Sequence, residues 1–197
     1  AINNSNNKYI SIQNLYLQST LTTNADYVYR KSGNISNTGN LILTGGTFKS
    51  NLTSGGTLTI DTGADVTMSY RSDNKIQLKD NATLTISASN INHAEGIFAS
   101  GAGSKVVLNG GTLAKQIVGS AALDITGTVT APLSLFNTPD TMGDWTVTDT
   151  GNFILTDGVL TKTIANNGTV TLKGATLGNE TAVTSGTLRV AAAATFS

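Results

Sequence analysis

The chain has 197 residues and a formal net charge of zero, and Gly, Asn, Thr and Ser together account for 90 of its residues. This length favours one domain. With a pI of about 6.8, the sequence lacks the basic surface that nucleic acids and anionic membranes require, so neither partner is expected. The absence of Cys and the single His exclude disulfide frameworks, thiolate zinc sites and Cys nucleophiles. Apolar residues never run to the roughly 18 that cross a bilayer, so no membrane insertion is expected.

Short runs of alternating apolar and polar residues recur along the chain. In chain order they include 41–43, 57–60, 76–78, 83–86 and 169–172. Alternation of Thr with Val, Ile and Leu is typical of strands with one buried face, and the Gly-Gly, Asn-Gly and Asp-Gly pairs between the runs favour tight turns. No stretch of about 12 or more residues keeps a helical period. The sequence therefore predicts an all-β fold.

A repeat appears when these runs are aligned. Its template has apolar residues at relative positions 0 and 2, then a turn, then another apolar residue at position 6 to 8. The copies begin at Leu41, Leu58, Ile76, Val106, Leu123, Phe153, Val170 and Leu188. Most of the intervals between copies are therefore about 17–18 residues long, and the two long ones are about 30 residues.

A fixed interval between short strands is typical of a β-solenoid, in which each repeat is one coil and successive coils pair in parallel. The sequence predicts a single-domain parallel β-solenoid over 1–197, with about 17–18 residues per coil. An antiparallel sandwich or barrel is the alternative, but it leaves the recurring interval unexplained. Because residues 1–37 match the template poorly, we expect a divergent N-terminal capping region there, followed by repeat coils over 38–197.

The two long intervals predict insertions near 87–105 and 130–152, each of about 12 to 13 residues. Insertions in solenoids often form the binding face. Phe136 and Trp145 are candidates for a sugar-stacking platform, or alternatively pack the second insertion against the rod. The candidate ligand-binding residues are Phe136, Asp140, Asp144 and Trp145.

Catalytic and metal sites find little support in the sequence. Most of the aspartates lie in turn contexts, such as Asp61, Asp80 and Asp157, where Asp usually caps the turn by bonding its own backbone. No G-x-S-x-G elbow occurs, and we expect the single His93 to be a solvated loop residue. The sequence predicts neither an enzyme nor a cofactor, and no metal site is assigned.

Calcium is the one alternative for the acids of the second insertion. Asp140, Asp144 and Asp149 offer carboxylate oxygens, which Ca²⁺ prefers, but Ca²⁺ takes six to eight oxygen ligands. Their spacing matches neither an EF-hand nor the nonapeptide of calcium β-rolls.

Residues 96–113 have the sequence GIFASGAGSKVVLNGGTL, and similar motifs occur at 55–68 and 167–177. These motifs resemble those in the passenger domains of Gram-negative autotransporters and in related secreted bacterial β-helix adhesins. The resemblance implies a right-handed parallel β-helix that is secreted across the outer membrane. It also implies adhesion or self-association at the bacterial cell surface, and it supplies no catalytic motif.

The last coil supplies the candidate self-association residues. The terminal coil of a solenoid exposes unpaired N–H and C=O groups, which recruit a further strand unless they are blocked. Segment 187–191 favours a strand, contains no Pro and carries one charge. We therefore predict a homo-oligomer or polymer that forms through Leu188, Val190 and Phe196. The alternative is a carbohydrate- or receptor-binding module, such as a phage tail-spike segment, that takes a glycan or host receptor at its insertions.

Overall fold

Buried and exposed residues alternate along the strands, and a computed structural model shows where the buried ones meet. The structure describes residues 2–3, 16–28, 34–137, 142–178, 183–191 and 194–196. Among these residues every strand pair is parallel. The strands stack into one β-solenoid domain of about nine turns. The predicted parallel solenoid is confirmed, and the antiparallel alternative is wrong.

Each coil passes through three faces in a fixed order, and the strands are numbered along the chain. The first face comprises β1 Ile2–Asn3, β3 Thr20–Thr23, β5 Asn40–Leu43, β8 Thr57–Ile60, β10 Lys75–Leu78, β12 Ile97–Ala99, β15 Ile117–Gly119, β18 Phe136–Asn137, β21 Val159–Leu160, β24 Thr176–Leu177 and β27 Thr195–Phe196. The second face comprises β6 Gly46–Phe48, β9 Asp65–Met68, β11 Thr83–Ile86, β13 Lys105–Leu108, β16 Ala122–Ile125, β19 Trp145–Val147, β22 Ile164–Asn166 and β25 Val183–Thr184.

The first face is one sheet from β1 to β18 followed by a separate sheet of β21, β24 and β27, and the third face is likewise interrupted. It comprises β2 Tyr16–Leu17, β4 Asn34–Asn37, β7 Asn51–Thr53, β14 Gly111–Thr112, β17 Thr128–Ala131, β20 Asn152–Leu155, β23 Thr169–Leu172 and β26 Thr187–Val190. Single bridges at Ser72 and Ile91 continue it after β7. Three short 3₁₀ helices in the described chain lie where it passes between faces: Ala25–Tyr27, Ala88–Asn90 and Leu133–Leu135. No helix in the described residues is long and apolar enough to span a membrane.

The core is a column of apolar side chains stacked in register. On the first face Leu41, Leu58 and Ile76 lie above one another and are fully buried. The intervening positions, such as Lys75 and Gln77, point outward. Each buried Leu or Ile stabilises the fold by about 1.5–3 kcal/mol, provided that the neighbouring coils cover it.

The pairing register gives the length of each coil. Leu41 pairs with Leu58 and Leu58 with Ile76, which are steps of the predicted 17–18 residues. Other steps of the same face are about 20 residues long, as between Leu21 and Leu41. Within the described chain the longest coils lie where the insertions were expected. There Leu84 pairs with Val106, Leu123 with Trp145 and Val129 with Phe153. These steps are about 22–24 residues long.

The predicted size of the insertions is wrong. The extra length is about four to seven residues rather than the expected dozen, because each long interval combines one coil with a step to the next face. Ile76 lies on the first face and Val106 on the second, whereas Leu123 lies on the second face and Phe153 on the third. Both segments carry strands that continue the ladders, so neither forms a separate binding loop in its described part.

The predicted N-terminal capping region also joins the ladders where it is described. β3 pairs in register with β5, and β4 pairs with β7. Leu21 and Ile35 occupy buried positions like those of later coils. Residues 1, 4–15 and 29–33 lie outside the described residues. The described part of 1–37 therefore pairs in register with the coils that follow it, and the divergent cap stays a prediction.

Candidate functional site

The C-terminal end of the solenoid exposes two side chains at core positions. Among the described strands, β26 is the last of its sheet and pairs only with β23. Leu188 and Val190 of β26 are in register with the buried Val170 and Leu172. They nevertheless remain 38% and 49% exposed, because none of the described residues forms a coil over them. We call Leu188, Val190 and the outer edge of β26 the open end.

The open end is held firmly on its inner side, and no described strand pairs with its outer side. The Thr187 N–H donates to the Gly168 carbonyl at 2.9 Å. Buried Asn166 donates through Nδ2 to the carbonyls of Ser185 and Thr187, at 3.3 and 3.2 Å. Natural proteins usually block such edges with Pro, charges or bulges, yet β26 carries only Arg189. This geometry can accept a further parallel strand.

Phe196 is the third residue predicted for self-association. It lies in β27, which pairs with β24 on the first face. Its side chain is outside the described part of the structure, so its role stays a prediction.

Phe136 and Trp145 lie in the core. Both side chains are buried, with ring centroids 4.9 Å apart. Phe153 lies edge-on to Phe136 at 6.1 Å and contacts Trp145 at 6.0 Å. These rings fill the interior of the longest coil. The sugar-stacking prediction is therefore wrong, because neither ring is accessible, and the alternative of packing within the rod is the one observed.

Of the two acids proposed as ligands, only Asp144 lies among the described residues. Asp140 lies outside the described residues. Asp144 is described, and its carbonyl accepts the Leu123 N–H at 2.9 Å. No group of three or more His, Asp or Glu side chains suited to a metal occurs among the residues described.

Two of the aspartates that lie in turn contexts bond the neighbouring coil, whereas the sequence predicted bonds to the backbone of their own turn. Asp80 accepts the Ala102 N–H at 2.9 Å through Oδ1. Asp157 accepts the N–H and hydroxyl of Ser134 at 3.3 and 3.1 Å. These bonds join adjacent coils, so the two carboxylates have a structural role.

The Glu95 carboxylate pairs with Lys75, and only the Glu95 backbone contacts His93. The Glu95 N–H donates to Nδ1 of His93 at 3.2 Å, whereas the Glu95 carboxylate contacts Nζ of Lys75 at 2.5 Å. The hydrogen bond from Lys75, and then its positive charge, lower the pKa of Glu95 below its usual value. The carboxylate is therefore ionised at neutral pH and committed to an ion pair.

An exposed aromatic ring was missed by the sequence reasoning. Phe98 lies in β12 between the buried Ile97 and Ala99, and its outward ring is 42% exposed. It borders an open groove of about 430 Å³. The signal was the alternation in 97–99, but that segment was interpreted as an insertion rather than a strand. We call this surface the Phe98 groove; its other polar lining residues include Thr62, Gln77, Lys79, Asp80 and Ser100.

Comparisons of the chain with protein-family models, curated proteins and solved structures give no match. The resemblance to autotransporter passenger domains therefore rests on the sequence motifs alone. The solenoid fold is independent of that resemblance, because it follows from the parallel register of the strands.

Proposed function

We propose that this chain is a non-enzymatic extracellular structural or adhesive protein, a β-solenoid rod that associates end to end with further copies of itself. The observation that carries the proposal is the open end, where Leu188 and Val190 occupy core positions with no described coil over them. The occupant that matches this edge is another parallel strand with apolar residues at alternate positions. The bacterial cell surface as its location follows from the resemblance to secreted β-helix adhesins.

The free energy of the end-to-end contact determines how strongly assembly depends on concentration. Full burial of a Leu or Val side chain is worth about 1.5–3 kcal/mol. Because Leu188 and Val190 are already more than half buried, covering both contributes only about 2 kcal/mol. Each backbone hydrogen bond adds about 0.5–1.5 kcal/mol, whereas association costs about 4–15 kcal/mol. The contact must therefore involve the neighbouring end strands β25 and β27 as well, and assembly should depend strongly on concentration.

Sedimentation velocity and negative-stain electron microscopy over a concentration series test the proposal. We expect the wild-type chain to form longer rods as concentration rises. Leu188→Asp combined with Val190→Asp places charge at the open end and should leave monodisperse short rods. Val159→Asp is the matched control, because Val159 is similarly exposed but points outward from β21. It should assemble like the wild type.

Two results would contradict end-to-end association. One is a monodisperse wild-type monomer at every concentration. The other is equal loss of assembly in Val159→Asp and the double variant, which would point to contacts along the sides of the rod. Circular dichroism of each variant distinguishes lost assembly from lost folding.

A further inference from the structure

The Phe98 groove presents an aromatic ring to solvent from a strand that is paired on both sides. β12 pairs with β10 on one side and β15 on the other, which places Phe98 between Gln77 and Val118. The flanking Ile97 and Ala99 are fully buried and anchor the strand. Since two ladders fix this backbone, the strand need not rearrange when a ligand covers the ring.

An ion pair fixes the polar surroundings on one side of the ring. Nζ of Lys75 lies 5.9 Å from the Phe98 ring centroid, within the range of a cation–π contact. The same ammonium pairs with the Glu95 carboxylate at 2.5 Å. Gln116 donates through Nε2 to the Glu95 carbonyl at 3.4 Å. The charges beside the ring are thus already paired within the protein.

The groove combines several kinds of polar side chain with one aromatic ring. Thr62 and Ser100 bring hydroxyls, Gln77 an amide, Lys79 an ammonium and Asp80 a carboxylate. The Asp80 carboxylate is oriented by its bond from the Ala102 N–H. The volume of about 430 Å³ lies within the range of small-ligand sites, about 300–1,000 Å³. Donors and acceptors therefore surround an apolar surface.

We propose that the Phe98 groove binds a neutral saccharide, with one sugar ring stacked on Phe98. A sugar ring has an apolar C–H face that packs on an aromatic ring and a rim of hydroxyls that both donate and accept. Lys75 and Lys79 are balanced by Glu95 and Asp80, so the groove has no net charge to select an acidic sugar. A second copy of the chain is disfavoured here, because a dry interface would bury the charged pair beside the ring.

Isothermal titration calorimetry with cellohexaose, maltohexaose, mannohexaose and the acidic hexagalacturonate tests the proposal. We expect the wild type to bind at least one neutral probe more tightly than hexagalacturonate. Phe98→Ala should weaken that binding by about tenfold or more. Tyr70→Ala is the matched control, because Tyr70 is similarly exposed but does not line the groove. It should bind like the wild type.

Three outcomes would overturn the saccharide site: no binding of any neutral probe at millimolar concentration, equal binding by Phe98→Ala and wild type, or a preference for hexagalacturonate. A fourth contrary outcome would be loss of assembly by Phe98→Ala in sedimentation velocity. That result would show that the Phe98 ring contacts a second copy of the chain. Repeating the titration with the Leu188→Asp and Val190→Asp double variant separates this site from end-to-end association. The groove should bind equally well in that variant, whether or not the wild type assembles.

Discussion

Replacing Phe153 with alanine tests whether the aromatic rings form the core of the longest coil. Phe153 is fully buried in β20, in register between Val129 and Val170. Truncating a core Phe to Ala costs about 3–5 kcal/mol. Its ring centroid lies 6.1 Å from that of Phe136 and 6.0 Å from that of Trp145, and such aromatic contacts place the loss in the upper part of this range. We expect the free energy of unfolding to fall by about 4–5 kcal/mol.

Urea unfolding, monitored by tryptophan fluorescence, measures this loss of unfolding free energy with a probe beside the substituted residue. Trp145 is the only Trp in the chain and is buried beside Phe153. With a slope of about 2 kcal/mol per molar urea, the loss lowers the unfolding midpoint by about 2 M. Phe98→Ala removes the same ring from an outward position and should cost about 1 kcal/mol or less. A Phe153→Ala midpoint no lower than that of Phe98→Ala would refute the assignment of these rings to the core.

Two further predictions concern a tight turn and an ion pair. Gly96 and Gly63 have similar positive φ values of 61° and 68°, but a Cβ on Gly96 would overlap the Gln116 carbonyl, whereas a Cβ on Gly63 meets nothing within 4 Å. Gly63→Ala should lower the free energy of unfolding by about 1–2 kcal/mol, and Gly96→Ala should lower it by at least about 2 kcal/mol more. Equal losses for the two variants in urea unfolding would contradict this expectation. Because Lys75 lowers the pKa of Glu95, this pair stabilises the fold above the usual value of 4.5 and loses that effect as pH falls through the lowered pKa. The Tm advantage of the wild type over Glu95→Gln should therefore be present at pH 7 and absent in strong acid, and an advantage that grows on acidification would exclude this explanation.

Much of the fold was predictable because alternation reports directly on burial. In the segment 75–78 the sequence KIQL predicts that Ile76 and Leu78 are buried, and the structure buries both. The recurring short interval likewise predicts that Leu41, Leu58 and Ile76 stack, as they do. A solenoid lends itself to this reasoning because each coil contacts only its neighbours, so a local pattern repeats along the whole molecule.

The assignment of strands to faces was not predictable in the same way. Apolar residues at positions 0 and 2 occur on all three faces, so an interval cannot distinguish one coil from one coil plus a step to the next face. That ambiguity placed Phe136 and Trp145 in a surface insertion. In the structure both rings are buried and pack against Phe153. The same misinterpretation hid the strand that carries Phe98.

The solenoid fold also determines which surfaces are accessible to a ligand or partner. In a solenoid the neighbouring coils cover every inward apolar side chain except those at an end, so binding is left to the ends and to outward positions. If copies join at the open end, each copy adds one Phe98 groove, so that the grooves recur along the assembled rod. Regularly spaced weak sites bind a polymeric glycan far more tightly than a single site does. Disrupting Leu188 and Val190 should then weaken binding to a polysaccharide but leave binding to a hexasaccharide unchanged. Equal loss for both ligands would show that the end contact and the groove are not separate sites.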